Sequence, residues 1–349
     1  MKTATDESAV NRPSTGKIPA GLPPLAPAPA VADDGGVAVP SFELPFSAFA
    51  STNARDSYVR RLRNPMPIVP DIAEIRKITD EKIRPQVLAA QALYPCTSSK
   101  STLAGIPIET FLPAGGIAPE NEHRVLINLH GGGFVAGGGG VAGAVESIPV
   151  AGEGRIKVIS VDYRLAPEHP FPAPNEDLEA VYRALIEKYR PETIGIYGCS
   201  AGGVLTGQAI AWFLKQQLPL PGAVGIFCAS LHGFDQGDSA HLQPRLGSVI
   251  RIIPPQKPNI PEDPLVRPSA SKAVLKAFPP TLFLTGTRAP EMSGACQSHL
   301  ELRELGVNSN LLLFDGLDHG FYSDVTLPES KRAITLMTRF FADNLGTSR

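Results

Sequence analysis

A serine within the segment 197–203 lies in a pattern typical of a nucleophilic turn. The segment reads Tyr-Gly-Cys-Ser-Ala-Gly-Gly, which places Ser200 in the spacing G-x-S-x-G. A β-branched run, 193–196, precedes the turn, and an apolar helical pattern, 204–214, follows it. A strand–turn–helix context of this kind holds a serine hydroxyl clear of the sheet, where it can attack a carbonyl carbon. The pattern therefore indicates acyl transfer through Ser200.

Backbone donors for the oxyanion of such a reaction are predicted next. The strand pattern 124–129 runs directly into His130 and three glycines, a loop that lets N–H groups approach a carbonyl oxygen closely. Ala201, which follows the nucleophile and opens a helix, supplies a further N–H. A merely flexible glycine loop is the alternative, because 137–140 are also glycines. We interpret His130 as an anchor of the loop rather than as a base.

Four motifs together resemble the bacterial hormone-sensitive-lipase-like esterases of the α/β-hydrolase superfamily. They are His130–Phe134, Asp162–Pro174, Gly198–Gly203 and Asp318–Phe321, and the resemblance covers about residues 100 to 349. It implies an α/β-hydrolase fold with a helical cap, and hydrolysis of short- to medium-chain acyl esters. It also implies that Gly132 and Gly133 are the oxyanion donors of the glycine loop.

The general base is predicted from chain order. The chain has seven histidines, and His319 is the one that follows both the serine and a late strand pattern, 310–314. In α/β-hydrolases the triad residues occur in the order serine, acid, histidine. His319 is therefore expected to take the proton of Ser200.

The acid of the triad is the point at which this chain departs from the family. After the strand pattern 280–286, the family places an aspartate just behind Gly-Thr-Arg, whereas this chain has Ala289. Glu291 lies two residues further on, a reach of at most about 7 Å of extended chain. A turn at Pro290 would aim it at the imidazole. Glu291 is therefore the predicted acceptor of the Nδ1 proton.

Three alternatives to this acid stay open. Asp318 adjoins the histidine in sequence, and Asp315 lies at the end of the strand. If one of these aspartates is the acid, Glu291 would be a solvated residue at the start of the next helix, a position that favours acidic side chains. If no carboxylate takes the role of the acid, the chain is a weak or inactive relative that acts as a ligand-binding protein.

The substrate also has alternatives: hydrolysis of amides, carbamates or acetylated sugars is left open.

Cys199 stands where the family usually has an aspartate. We interpret it as an inert, buried residue at a strand end, with a reactive thiol beside the nucleophile as the alternative.

Strand and helix patterns alternate along the chain, which predicts an α/β fold with a mostly parallel sheet and helices on both faces. Strands are expected to end near Leu129, Asp162, Cys199, Ser230, Gly286 and Phe314. Helices are expected over Ile72–Leu93, Asn175–Tyr189, Ala201–Gln217, Met292–Leu305 and Leu327–Asn344. The predicted site residues all follow carboxyl ends of strands, where open α/β sheets bind ligands.

Composition divides the chain into three parts. Residues 1–40 are rich in Pro, Ala and Gly, which predicts a flexible segment. Residues 41–98 carry helical patterns and form the expected cap. Residues 99–349 form the expected catalytic domain, with a lid-like insertion near 231–261.

Charge and cysteine spacing exclude several classes of protein. The net charge is −2, so we expect no nucleic-acid partner, and no apolar run is long enough to span a membrane. The four cysteines are scattered and are expected to be free thiols. No zinc-binding spacing or phosphate-binding loop occurs, so we expect neither metal nor cofactor. A small-molecule ester is the expected partner, a homodimer is left open, and the absence of a signal-peptide pattern predicts a cytoplasmic protein.

Overall fold

The structure is a computed structural model that describes residues 30–65, 67, 69–234, 236–247 and 262–346. Most of the segment predicted to be flexible, 1–29, lies outside these residues, as does 248–261 of the predicted lid. The chain forms two compact units, Met1–Pro45 and Phe46–Arg349. In the described part of the first unit, β1 (Ala30–Val31) and β2 (Val37–Ala38) pair as a short antiparallel hairpin.

The second unit is built from a sheet and surrounding helices. Its strands are β3 (Cys96–Leu103), β4 (Ile106–Pro113), β5 (Val125–Leu129), β6 (Lys157–Val161), β7 (Ile194–Cys199), β8 (Ala223–Phe227), β9 (Thr281–Gly286) and β10 (Ser309–Phe314). Its α-helices are α1 (Thr52–Arg63), α2 (Ile72–Leu93), α3 (Val141–Gly154), α4 (Ala173–Ile186), α5 (Ala201–Lys215), α6 (Asp238–Leu242), α7 (Lys272–Lys276), α8 (Met292–Glu304) and α9 (Pro328–Asn344).

The eight strands of this unit form one sheet in the order β3-β4-β6-β5-β7-β8-β9-β10. The neighbouring strands β6, β5, β7, β8, β9 and β10 pair in parallel. Strand β4 is antiparallel to both β3 and β6. Strands β5, β7, β8 and β9 are buried along their whole length, as expected of parallel strands covered on both faces. The predicted α/β fold with a mostly parallel sheet is confirmed.

Two apolar cores lie on opposite faces of the sheet. One contains the apolar sides of α4, α5 and α8, and the other those of α3 and α9. The sheet residues alternate between them: Ile127 and Ile196 belong to the first core, and Leu126 and Tyr197 to the second. This alternation follows from the two-residue period of a strand.

The two helices of the predicted cap segment begin at residues that can cap them. The Ser51 hydroxyl accepts a hydrogen bond from Ala54 N before α1, and the Asp71 carboxylate accepts one from Glu74 N before α2. The bounds of α2 coincide with those predicted from its periodicity. No helix in the described ranges is long and apolar enough to cross a membrane.

The sequence analysis did not predict strands β3 and β4 or helices α3, α6 and α7 of this unit. Strand β3 is largely exposed and rich in Ser, Thr and Lys, so it lacks an apolar alternation, and its partner β4 was not predicted either. Helix α3 is buried from Ala142 to Ala151, which leaves no polar face to reveal a helical period. Its interior Pro149 further weakens the helical signal.

Candidate active site

Ser200 lies in the tight turn that joins β7 to α5. Its φ of 56° and ψ of −121° are strained values for a residue that has a side chain. The turn is held by a hydrogen bond of 2.9 Å from Ser200 N to Phe227 O in β8. A Cβ on Gly202 would lie 1.7 Å from Leu129 O, so only glycine fits here. The backbone thus presents Ser200 as the predicted elbow requires.

The predicted oxyanion loop follows β5, beside this turn. Gly132 has a φ of +125°, and a Cβ there would lie 2.0 Å from Ala136 O. Its carbonyl oxygen accepts a hydrogen bond of 2.9 Å from Ala136 N, which fixes the loop. Within the described ranges the N–H groups of Gly132 and Gly133 donate no hydrogen bond. Ala201 is the first residue of α5, so its N–H has no acceptor within the helix. All three donors remain available to an oxyanion.

His130 anchors the start of the loop. Its side chain is buried, stacks on Tyr163 with ring centroids 4.3 Å apart, and places Nδ1 2.7 Å from Gly131 O. The Tyr163 hydroxyl in turn donates to His130 O at 2.6 Å. Burial lowers the pKa of His130, which favours the neutral ring. These contacts agree with an anchoring role for His130.

His319 and Glu291 form a hydrogen-bonded pair. His319 Nδ1 lies 3.0 Å from Glu291 Oε2, and Thr285 Oγ1 donates to Glu291 Oε1 at 3.0 Å. Glu291 is 0% exposed, so it is not a solvated residue at a helix start. A carboxylate only accepts hydrogen bonds, so Nδ1 carries the proton and Nε2 is left as the basic nitrogen. Ala289 is buried and contributes no acceptor.

The two competing carboxylates point elsewhere. Asp318 forms an ion pair with Arg61 of α1. Asp315 accepts hydrogen bonds from the hydroxyls of Ser47 and Thr287. Among the described residues, Glu291 alone brings a carboxylate to the imidazole of His319.

The Ser200 turn and the loop of His319 both contact the carboxyl end of β8. Ser200 N is bonded to Phe227 O, and Gly320 N donates to the sulfur of the next residue, Cys228, at 3.2 Å. Within the described ranges Ser200 Oγ does not donate to His319. Catalytic hydrogen bonds of this kind often close only when substrate binds.

The cysteines of this region are buried thiols. All four cysteines of the chain are free, and Cys199 is 6% exposed. Burial raises the pKa of Cys228 well above its usual value, which favours the protonated thiol. The potential ligand atoms of Cys228, Glu291 and His319 lie within 4.8 Å of one another. Because the proton on Nδ1 already joins the histidine to the carboxylate, the group suits a catalytic pair better than a metal ion.

Glu146 is a residue near the site that the sequence analysis missed. Its carboxylate, on α3, accepts hydrogen bonds from Gly131 N at 2.8 Å, Asn128 Nδ2 at 2.9 Å and Cys199 N at 3.2 Å. The side chain is almost fully buried. Its sequence signal is the one charged residue in the mostly apolar run 141–151, directly after the glycine loop.

A cavity of about 260 Å³ adjoins the histidine. Its polar and charged lining includes Ser57, Tyr58, Arg61, Gln86, Asp318 and His319. Helices α1 and α2 of the predicted cap segment therefore contribute to the space beside the base. A larger cleft, of about 380 Å³, is lined by Arg76 and His169 among others and contains none of the predicted site residues.

The sheet, the strained serine turn and the histidine–glutamate pair at its carboxyl edge together define an α/β-hydrolase. A sequence model of the alpha/beta hydrolase fold matches residues 126–323, more than half of the chain. The chain belongs to this family, and the predicted membership is confirmed.

Relatives in sequence and structure place it with the bacterial esterases. An esterase of Acinetobacter venetianus is 27% identical over 234 residues, 64% of this chain and 76% of the relative. The carboxylesterase NlhH of Mycobacterium tuberculosis is 30% identical over 158 residues, 42% of this chain and 48% of the relative. The solved structure of an esterase from the bacterial hormone-sensitive lipase family has a TM-score of 0.74 and 26% identity, and the match covers 85% of this chain and 100% of that one. The similarities support carboxylic ester hydrolysis.

Proposed function

We propose that the protein is a serine carboxylesterase that acts on short- to medium-chain acyl esters through Ser200, His319 and Glu291. The observation that carries the proposal is the buried hydrogen bond between His319 Nδ1 and Glu291 Oε2, 3.0 Å long. It orients the imidazole and leaves Nε2 free to accept a proton. The esterases among the relatives support hydrolysis of carboxylic esters.

The proposed reaction has two steps. Ser200 Oγ attacks the ester carbonyl carbon while His319 Nε2 takes the hydroxyl proton, and the N–H groups of Gly132, Gly133 and Ala201 stabilise the oxyanion. The intermediate collapses to an acyl-enzyme, and His319 gives its proton to the leaving alcohol. Water then attacks the acyl carbon and loses a proton to His319. His319 returns that proton to Ser200 Oγ as the bond to the acyl carbon breaks and the carboxylic acid leaves.

The cap segment, 41–98, is proposed to shape the substrate site. Tyr58 and Arg61 of α1 and Gln86 of α2 share a cavity with His319. Side chains of both helices therefore bound the space beside His319.

A chain-length series tests the proposed function. We expect hydrolysis of p-nitrophenyl acetate and butyrate with kcat on the order of 1–10³ s⁻¹, and much slower hydrolysis of the palmitate ester. A fluorophosphonate should label the protein rapidly, because only an activated serine reacts quickly. Absence of both labelling and ester turnover would favour the ligand-binding alternative, and faster turnover of p-nitroacetanilide than of the esters would favour an amide hydrolase.

The oxyanion loop gives a separate prediction. Gly132→Ala should lower kcat by about 10²- to 10³-fold with a smaller change in KM, because the added Cβ displaces an oxyanion donor. Gly139→Ala is the matched control, since Gly139 lies in the same loop, also has a positive φ, and has open space around its Cβ position. Steady-state kinetics of both variants decide the matter. Equal effects of the two substitutions would mean that backbone strain, and not the donor, determines the rate.

A further inference from the structure

Glu146 is a buried carboxylate that the two-step reaction does not use. We propose that Glu146 is a positioning residue that ties the oxyanion loop to the serine turn, and that it does so in its ionised form. The inference rests on the proposed function, since it concerns the geometry of the same oxyanion hole.

The hydrogen bonds of Glu146 reach both sides of that hole. Oε1 accepts from Gly131 N, one residue before the donor Gly132, and Oε2 accepts from Cys199 N, one residue before Ser200. Asn128 on β5 donates to Oε2 as well. One side chain on α3 therefore fixes the peptide units that precede a loop donor and the nucleophile.

The two segments that Glu146 joins are already in close contact. A Cβ on Gly131 would lie 3.1 Å from Cys199 O and 3.5 Å from Ser200 Cβ. A shift of the loop relative to the turn would change the position of Gly132 N against the serine oxygen directly. Misplacing a catalytic group by about 1 Å can lower a rate on the order of 10²-fold.

The surroundings of the carboxylate offer donors only. All three of its partners are N–H groups, so a proton on either oxygen would find no acceptor among them and would weaken these hydrogen bonds. Burial nevertheless raises the pKa of Glu146 to about 8, because the ionised form loses its hydration. The bracing contacts are therefore complete only at pH values above that pKa.

Three buried tyrosines, Tyr163, Tyr197 and Tyr322, interact electrostatically with the Glu146 carboxylate, and burial raises their pKa well above 10. Buried His130 lies beside the same loop, and burial lowers its pKa. The thiol of Cys199 lies next to one of the donors of Glu146. Glu146 forms no ion pair in the described part of the chain. Its own titration should therefore be visible as a separate step.

The kinetic test compares Glu146→Gln with the wild type between pH 6 and 10, using p-nitrophenyl butyrate. For the wild type we expect the pH profile of kcat to show a second ionisation, near 8, which reports Glu146. Glu146→Gln should lower kcat on the order of 10- to 100-fold with little change in KM, and should lack the second ionisation. Glu153→Gln, on the same helix but bonded to Thr335, should keep the wild-type profile.

A second measurement is independent of activity and of the variant's folding. In the wild type, the backbone amide signals of Gly131 and Cys199 in ¹⁵N–¹H spectra should shift with pH and report one midpoint near 8. Amide signals that do not shift, or a Glu146→Gln profile that keeps both the second ionisation and the wild-type kcat, would overturn the inference. Loss of ester hydrolysis in the wild type itself would instead contradict the proposed function.

Discussion

Replacing Ser200 with alanine is expected to lower kcat for p-nitrophenyl butyrate on the order of 10⁶-fold, because the attacking oxygen is removed. The oxyanion donors and the substrate site stay in place, so binding of the ester should change little. Saturating steady-state kinetics on the purified variant measure the effect. Fluorophosphonate labelling should disappear in the same variant, since no other serine in the described structure lies in a strained strand–helix turn.

Ser309→Ala is the matched control for this variant. Ser309 Oγ forms a hydrogen bond with a histidine, His299 Nδ1, at 2.9 Å, yet it lies at the start of β10 and not at a carboxyl end. This variant should retain wild-type turnover and labelling. If Ser200→Ala kept more than about 1% of the wild-type kcat, Ser200 would not be the nucleophile.

Replacing Glu291 with glutamine is expected to lower kcat on the order of 10⁴-fold. The glutamine amide can donate to His319 Nδ1, which would move the ring proton to Nε2 and remove the base. It also no longer supplies the negative charge that stabilises the imidazolium in the transition state. The measurement is kcat and KM near neutral pH, together with the rate of fluorophosphonate labelling, which should fall in parallel.

The chain contains a second histidine–glutamate pair that serves as the control. His232 Nε2 lies 2.9 Å from Glu301 Oε2, a distance close to the 3.0 Å of the proposed catalytic pair. Glu301→Gln should leave kcat unchanged, because neither partner reaches the serine turn. Turnover of Glu291→Gln close to that of the wild type would rule out Glu291 as the acid, and Asp318 and Asp315 would then be substituted in turn.

Local hydrophobic patterns in the sequence predicted much of the fold. The periodicity of α2 predicted both of its ends, and the buried runs that became β5, β7 and β9 predicted a parallel sheet. The hydrophobic period of an element follows from its own geometry, so it is visible without knowledge of the partner. Strand β3 and helix α3 lack such a period, because one is exposed on most of its residues and the other is buried on every side.

The candidate site likewise contains residues that local sequence patterns predicted and residues that they did not. Ser200 could be predicted because its turn is encoded by a short contiguous segment with glycines, between a strand and a helix. The choice of Glu291 over Asp315 and Asp318 depends on a contact across 28 residues. The two aspartates bind other partners. Asp318 pairs with Arg61 on α1, and Asp315 accepts hydrogen bonds from the hydroxyls of Ser47 and Thr287. Those partners come from distant parts of the chain.

The sequence by itself determined the class of fold, the serine turn, the glycine loop and the histidine, since each is encoded by neighbouring residues. Tertiary structure alone decided which carboxylates contact the histidine and the oxyanion loop. Glu146 contacts Gly131 and Cys199 across 15 and 53 residues, and Glu291 reaches His319 from the loop after another strand. A side chain that acts through distant partners has no fixed spacing to them in the sequence. Its role becomes visible only when the sheet brings the carboxyl ends of its strands together.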